Sequence, residues 1–66
     1  MMTLKAARIN LGLTQVDAAA LLGISKETLS NYERAVSFPD VPTIKKIEHV
    51  YKVPYSEIIF LPQNNA

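Results

Sequence analysis

The chain has no cysteine and a single histidine, His49, in 66 residues. The first absence excludes a disulfide framework and any thiolate metal site, and a lone imidazole lacks the partners that a metal centre needs. No apolar run approaches the roughly 18 residues of a membrane span. The opening MMTLKAARIN holds no apolar stretch of secretory-signal length, so a soluble, cytoplasmic protein is the expectation. A surplus of charge is missing too, since seven Lys and Arg oppose six Asp and Glu for a net +1. Charge therefore neither points to nucleic acid nor rules it out, and the positions of the basic residues must decide. There is no glycine-rich phosphate loop, no paired carboxylates in a plausible pocket, and no histidine placed to reach Ser25 or Ser30. These gaps argue against an enzyme and against a cofactor or small-molecule ligand. Strand-length alternating runs, internal repeats and linkers are likewise missing.

What is present suits a folded globule: 48% hydrophobic and 20% charged residues. One domain over 1–66 is expected, with a core from about 3 to 61 and a short polar tail, 62–66. A chain this short buries only about 60% of its unfolded surface, so a compact core, helped by dimerisation, is required. Leu4, Ala7 and Leu11 follow the i, i+3, i+7 spacing of a first helix capped by Thr3 and stopped at Gly12. Thr14 caps a second helix, Gln15 to about Leu22, with Ala18, Ala19 and Leu22 inward and Gly23 as its stop. Ser25 caps a third, Lys26 to about Arg34, burying Leu29 and Tyr32. Residues 35–39 read as a loop in which Val36 and Phe38 are expected as core anchors, lying against a partner being the other option. Asp40 caps a fourth helix, with Pro42 tolerated in its first turn and Ile44, Ile47 and Tyr51 as its apolar stripe. Val53-Pro54 breaks it, and a last short helix from about Tyr55 to Phe60 is expected to bury Ile58 and Ile59. The expected fold class is all-α, a compact bundle of about five short helices.

Helices two and three are separated only by Gly23-Ile24-Ser25, which is the helix-turn-helix arrangement. Small Ala19 lets the helices cross closely, and Gly23 supplies a backbone conformation that a Cβ penalises. The segment TQVDAAALLGISKETLSNYER resembles the helix-turn-helix of the phage repressor and Cro family, also called the XRE family. It matches the family pattern without gaps at Gln15, Ala19, Gly23, Ile24, Leu29, Tyr32 and Glu33-Arg34, and the likeness extends from Leu4 to Phe60. One departure is Ala35, where the family commonly has glycine. The resemblance implies a lambda-repressor-like DNA-binding fold and a sequence-specific transcriptional regulator of a prokaryotic cell, phage or mobile element.

In that motif the third helix enters the major groove. Lys26, Glu27, Thr28, Ser30 and Asn31 occupy its outward face and are the base-reading candidates: Lys donates to guanine, Glu accepts from cytosine, Asn pairs with adenine. The plain alternative is a solvated helix face. Gln15, at a helix N-terminus, is a phosphate-contact candidate, as are Arg34, Ser37, Thr43 and Lys45. For Lys46, His49 and Lys52 a solvated face is preferred. The resemblance further implies a partly buried ion pair between Arg8 and Glu33 that orients the third helix, and Arg8→Met is expected to leave the domain folded. Regulators of this class bind as two-fold dimers. The apolar stretch Ile59, Phe60 and Leu61 is either the dimer surface or a seal folded back on the domain. The rival reading is a helix-turn-helix module that binds another protein, as an antitoxin or anti-repressor does, favoured by the low charge and by acidic Glu27. Within the DNA-binding reading, a repressor acting by occupancy is preferred.

Overall fold

Four short polar side chains start the four α-helices. A computed structural model describes residues 1–60. In it Thr3, Thr14, Ser25 and Asp40 sit in extended backbone, and each side-chain oxygen accepts the backbone N–H three residues on, at 3.0–3.1 Å. Each such cap is worth about 1 kcal/mol. The helices that follow are α1 (Leu4–Asn10), α2 (Gln15–Leu22), α3 (Lys26–Glu33) and α4 (Val41–Tyr51).

The ends of α1, α2 and α3 share one geometry. After α1, Gly12 N–H donates to Ile9 and Leu13 N–H to Arg8; after α2, Gly23 donates to Ala20 and Ile24 to Ala19; after α3, Ala35 donates to Tyr32 and Val36 to Asn31. Each is the paired 5→2 and 6→1 bonding of a Schellman stop, whose first residue must be left-handed. Gly12, Gly23 and Ala35 have φ of +72°, +70° and +59°. The departure at Ala35 thus leaves the stop intact and puts an alanine where a Cβ is penalised.

Leu4, Ala7, Ala18, Ala19, Leu22, Leu29, Ile47, Tyr51 and Ile58 form the buried core, with Ile24, Tyr32 and Val50 packed against it. Ala18 and Ala19, both buried, let α2 lie close to α3 and α4. No helix among the described residues is long and apolar enough to cross a membrane.

Three expectations need correction. The fifth helix is a 3-10 turn of three residues, Tyr55–Glu57, after which the chain extends. β2 (Ile58–Ile59) then pairs in parallel with β1 (Met2–Thr3), Met2 opposite Ile58 and Thr3 opposite Ile59, tying the start of the chain to residues 58–59. Ile58 is buried and Ile59 half-buried, with β-branched side chains suited to extended backbone. Leu11 is 45% exposed; α1 turns Leu4, Ala7 and Arg8 inward, and Leu11 falls where the helix stops. Val36 and Phe38 are exposed rather than core anchors. A residue in Val36's position of a Schellman stop packs on the residue five before it. Here that residue is the polar Asn31, whereas after α2 Ile24 meets Ala19. Pro39 is the loop residue that is buried, and Phe38 is left outside. Leu61 and the tail 62–66 lie outside the described residues.

Candidate nucleic-acid interface

The stop at Gly23 and the cap at Ser25 turn the chain from α2 into α3 within three residues. A Cβ built on Gly23 would meet nothing closer than Lys46 Nζ at 3.8 Å, so backbone conformation and not space demands glycine there. Ile24 packs under the turn against the core. Of α3, only Leu29 is buried as a whole residue. Lys26, Glu27 and Arg34 are exposed, and Thr28, Ser30 and Asn31 half-buried. Thr28 Oγ1 accepts a hydrogen bond from the Ser25 hydroxyl at 2.8 Å. Gln15, Lys26, Glu27, Ser30 and Arg34 line one open depression of about 320 Å³. The first turn of α2 thus borders the outward face of α3.

Beneath that face lies a buried polar network. Arg8 Nε and Nη2 donate to the two carboxylate oxygens of Glu33 at 2.7 and 3.2 Å. Arg8 Nη1 donates to the Leu13 carbonyl at 2.8 Å. Gln15 Nε2 donates to Glu33 Oε1 at 3.0 Å. The side chains of Arg8 and Glu33 are 9% and 3% exposed. Hydrogen bonding to Glu33 raises the pKa of Arg8 further above its usual value, against the opposing effect of burial. The network therefore bonds α1, the link to α2, the first residue of α2 and the last residue of α3. Among the described residues Gln15 spends one amide hydrogen on it and keeps the other, together with its backbone N–H at the helix N-terminus. The Tyr51 hydroxyl is buried and has no hydrogen-bond partner among the described residues. Burial first, and the Glu33 charge second, push its pKa up to about 12, with Arg8 opposing.

Arg34 is held differently from Arg8. Its Nε donates to Ser30 Oγ at 3.3 Å and its Nη2 to Asn31 Oδ1 at 2.7 Å. Sequence reasoning missed these bonds, although the i, i+3 and i+4 spacing of Ser30, Asn31 and Arg34 is the signal for them. Among the other candidates, Ser37 is half-buried and its N–H reaches the Asn31 carbonyl at 3.4 Å, tying the loop to the end of α3. Thr43 is half-buried at the start of α4, its N–H capped by Asp40, and Lys45 is exposed beyond it. Lys46, His49 and Lys52 are exposed along α4.

A separate apolar depression of about 350 Å³ includes Met1, Phe38, Tyr55, Ile59 and Phe60 in its lining. The Tyr55 and Phe60 rings stack with centroids 5.4 Å apart. Of the dimerisation candidates, Ile59 and Phe60 lie here, half-buried. Leu61 is outside the described residues.

Comparison with known proteins agrees with this layout. A family model described as helix-turn-helix matches residues 4–58. Over 50 residues, 76% of this chain, the sequence is 46% identical to the HTH-type transcriptional regulator ImmR of Bacillus subtilis (strain 168). The chain spans 39% of the length of that relative. No solved structure matches the chain.

Proposed function

The chain belongs to the helix-turn-helix family, and on that premise we propose that it is a sequence-specific double-stranded DNA-binding transcriptional regulator, acting as a repressor. The observation that carries this reading is the presentation of α3. One side is anchored by Leu29 and the Glu33 network, and the other offers Lys26, Glu27, Thr28, Ser30 and Asn31 to solvent. An α-helix held this way fits the major groove, where side chains such as Lys and Glu distinguish base edges. Gln15, Ser37, Thr43 and Lys45 contact phosphates on either side and set the register of the domain. Gln15 does so with its backbone N–H and its remaining amide hydrogen, at the positive end of α2.

One reading helix spans only a few base pairs, so the protein binds as a homodimer to half-sites roughly 34 Å apart. Ile59 and Phe60, joined by Phe38 and Tyr55, form the dimer surface, and Leu61, outside the described residues, continues the same apolar stretch of sequence. Such a regulator works beside prokaryotic DNA in the cytoplasm, by occupying its operator, and needs no cofactor. The rival, a module that binds another protein, draws on the net charge of +1 and on Glu27 at the start of α3. Binding to duplex DNA across a salt series separates the two. Neutralising Z phosphates gives a slope of about −0.9Z in log K against log salt. A slope near zero refutes the DNA reading and sends the search to a protein partner.

A further inference from the structure

We infer that Arg34 reads a guanine base, and that Ser30 and Asn31 are its positioning residues rather than independent base readers. The inference rests on the DNA-binding reading above and deepens it.

Among the described residues, one edge of the Arg34 guanidinium is in use and the other is not. Nε–H and the adjacent Nη2–H make one side of the planar fork, and these are the atoms bonded to Ser30 Oγ and Asn31 Oδ1. The end edge, Nη1–H with the second Nη2–H, keeps two parallel donors. Two parallel donors on a rigid plane match the O6 and N7 acceptors of guanine in the major groove.

Arg8 uses the same side edge on Glu33 and is neutralised by it. Both of Arg34's partners are neutral, and among the described residues no carboxylate pairs with it. It therefore keeps its full charge for a ligand.

Arg34 shares its depression with Gln15, Lys26, Glu27 and Ser30. Two bonds back onto α3 hold the guanidinium along the outward face of the helix instead of leaving it free to swing toward the flanking backbone. Fixing a flexible side chain before binding removes part of the entropy cost of contact. Asn31 Oδ1 spends one of its two lone pairs on Arg34, and that bond sets the plane of the amide by the guanidinium rather than by an adenine edge.

Base preference at each position, selected from a randomised duplex pool, tests this. Wild type, Arg34→Lys, Arg34→Ala and Asn31→Ala are compared, with thermal melts confirming that each variant folds. Wild type is expected to select a guanine in each half-site. Arg34→Lys should lower the preference at that guanine by about tenfold, since a point charge replaces a two-bond fork, and leave the other positions unchanged. Asn31→Ala should weaken the same guanine and no adenine. The inference is overturned if Arg34→Ala preserves every preference, or if it weakens all sequences equally and lowers the salt slope by about one phosphate, for then Arg34 is no base reader. It is overturned equally if Asn31→Ala relaxes a different position, for then Asn31 reads a base itself. A wild type that enriches nothing refutes the DNA-binding reading together with the inference, and is distinct from both of those results.

Discussion

Replacing Ala35 by glycine perturbs one atom group in one of three equivalent helix stops. Ala35 holds φ of +59°, and its N–H and that of Val36 close the same two bonds that Gly12 and Gly23 close with their successors. A left-handed backbone costs a residue bearing Cβ about 1–2 kcal/mol. Glycine avoids that cost but loses about 0.5–1 kcal/mol more backbone entropy on folding. The difference leaves Ala35→Gly more stable by about 0.5–1 kcal/mol. In a domain this small that corresponds to a melting midpoint about 2–8 °C higher. Gly23→Ala runs the same sum backwards. The site has open space, with only the flexible Lys46 terminus at 3.8 Å, so its cost is the backbone term alone. The midpoint should fall by a similar amount. Thermal unfolding followed by circular dichroism reads both variants. If Ala35→Gly leaves the midpoint unchanged or lower while Gly23→Ala lowers it, residue 35 does not occupy the left-handed region in solution. The common-stop account of α1, α2 and α3 would then be wrong.

Tyr51→Phe should stabilise the domain by about 1 kcal/mol in urea unfolding, because an unsatisfied buried hydroxyl costs about 1–3 kcal/mol and this one has no partner among the described residues; a loss of stability would show that the hydroxyl is satisfied. Folding raises the pKa of Tyr51 to about 12, so the unfolded chain releases this proton first. Stability should fall as pH climbs from about 10 toward 12, and that component should vanish in Tyr51→Phe. The Asp40 carboxyl titrates below its usual value, held down by the Thr43 hydroxyl and then by the Thr43 N–H. Its contribution is present above the unfolded value and lost as pH falls through the folded one, so acid should weaken the wild type more than Asp40→Asn, and equal acid profiles would remove the cap from the account. Arg8→Met should still fold but lose about 3 kcal/mol, the price of a buried carboxylate left with Gln15 alone. Arg8→Met combined with Glu33→Leu should recover most of it, and no recovery in denaturant titration would mean the pair itself stabilises the fold.

The starts of all four helices were legible from residue type and position. Thr3, Thr14, Ser25 and Asp40 each precede an apolar-periodic run, and each caps as its chemistry allows. Two of the stops were legible for the same local reason, since Gly12 and Gly23 are the only glycines. What escaped was decided by distant partners. Two residues cannot display a period of two, and β2 exists only because Met2 and Thr3 lie beside it. Val36 and Phe38 read as core because they are large and apolar. Whether such a residue finds a pocket depends on its opposite number, and Val36's is the polar Asn31. In the candidate site, the outward residues of α3 followed from helical spacing and from the resemblance. The bonds from Arg34 to Ser30 and Asn31 are local, but they depend on rotamers that residue types do not specify.

The Arg8–Glu33–Gln15 network explains how so small a core can present α3 in a defined way. Apolar contacts through Leu29 are non-directional and resist separation of α3 from α2 more than rotation of α3 about its own axis. A rotation of one residue position, about 100° on a helix of 3.6 residues per turn, would exchange the reading face for a neighbouring one. The two-bond fork from Arg8 is directional, and it fixes the terminal residue of α3 against α1. Gln15 bonds the same carboxylate from the start of α2. A buried ion pair is weak support for stability, because desolvation offsets its attraction, and its better-attested use is to specify arrangement. Glu33 immediately precedes Arg34 and lies two residues from Asn31. The residue that sets the rotation of α3 therefore stands beside the residues through which an error in rotation would be felt first.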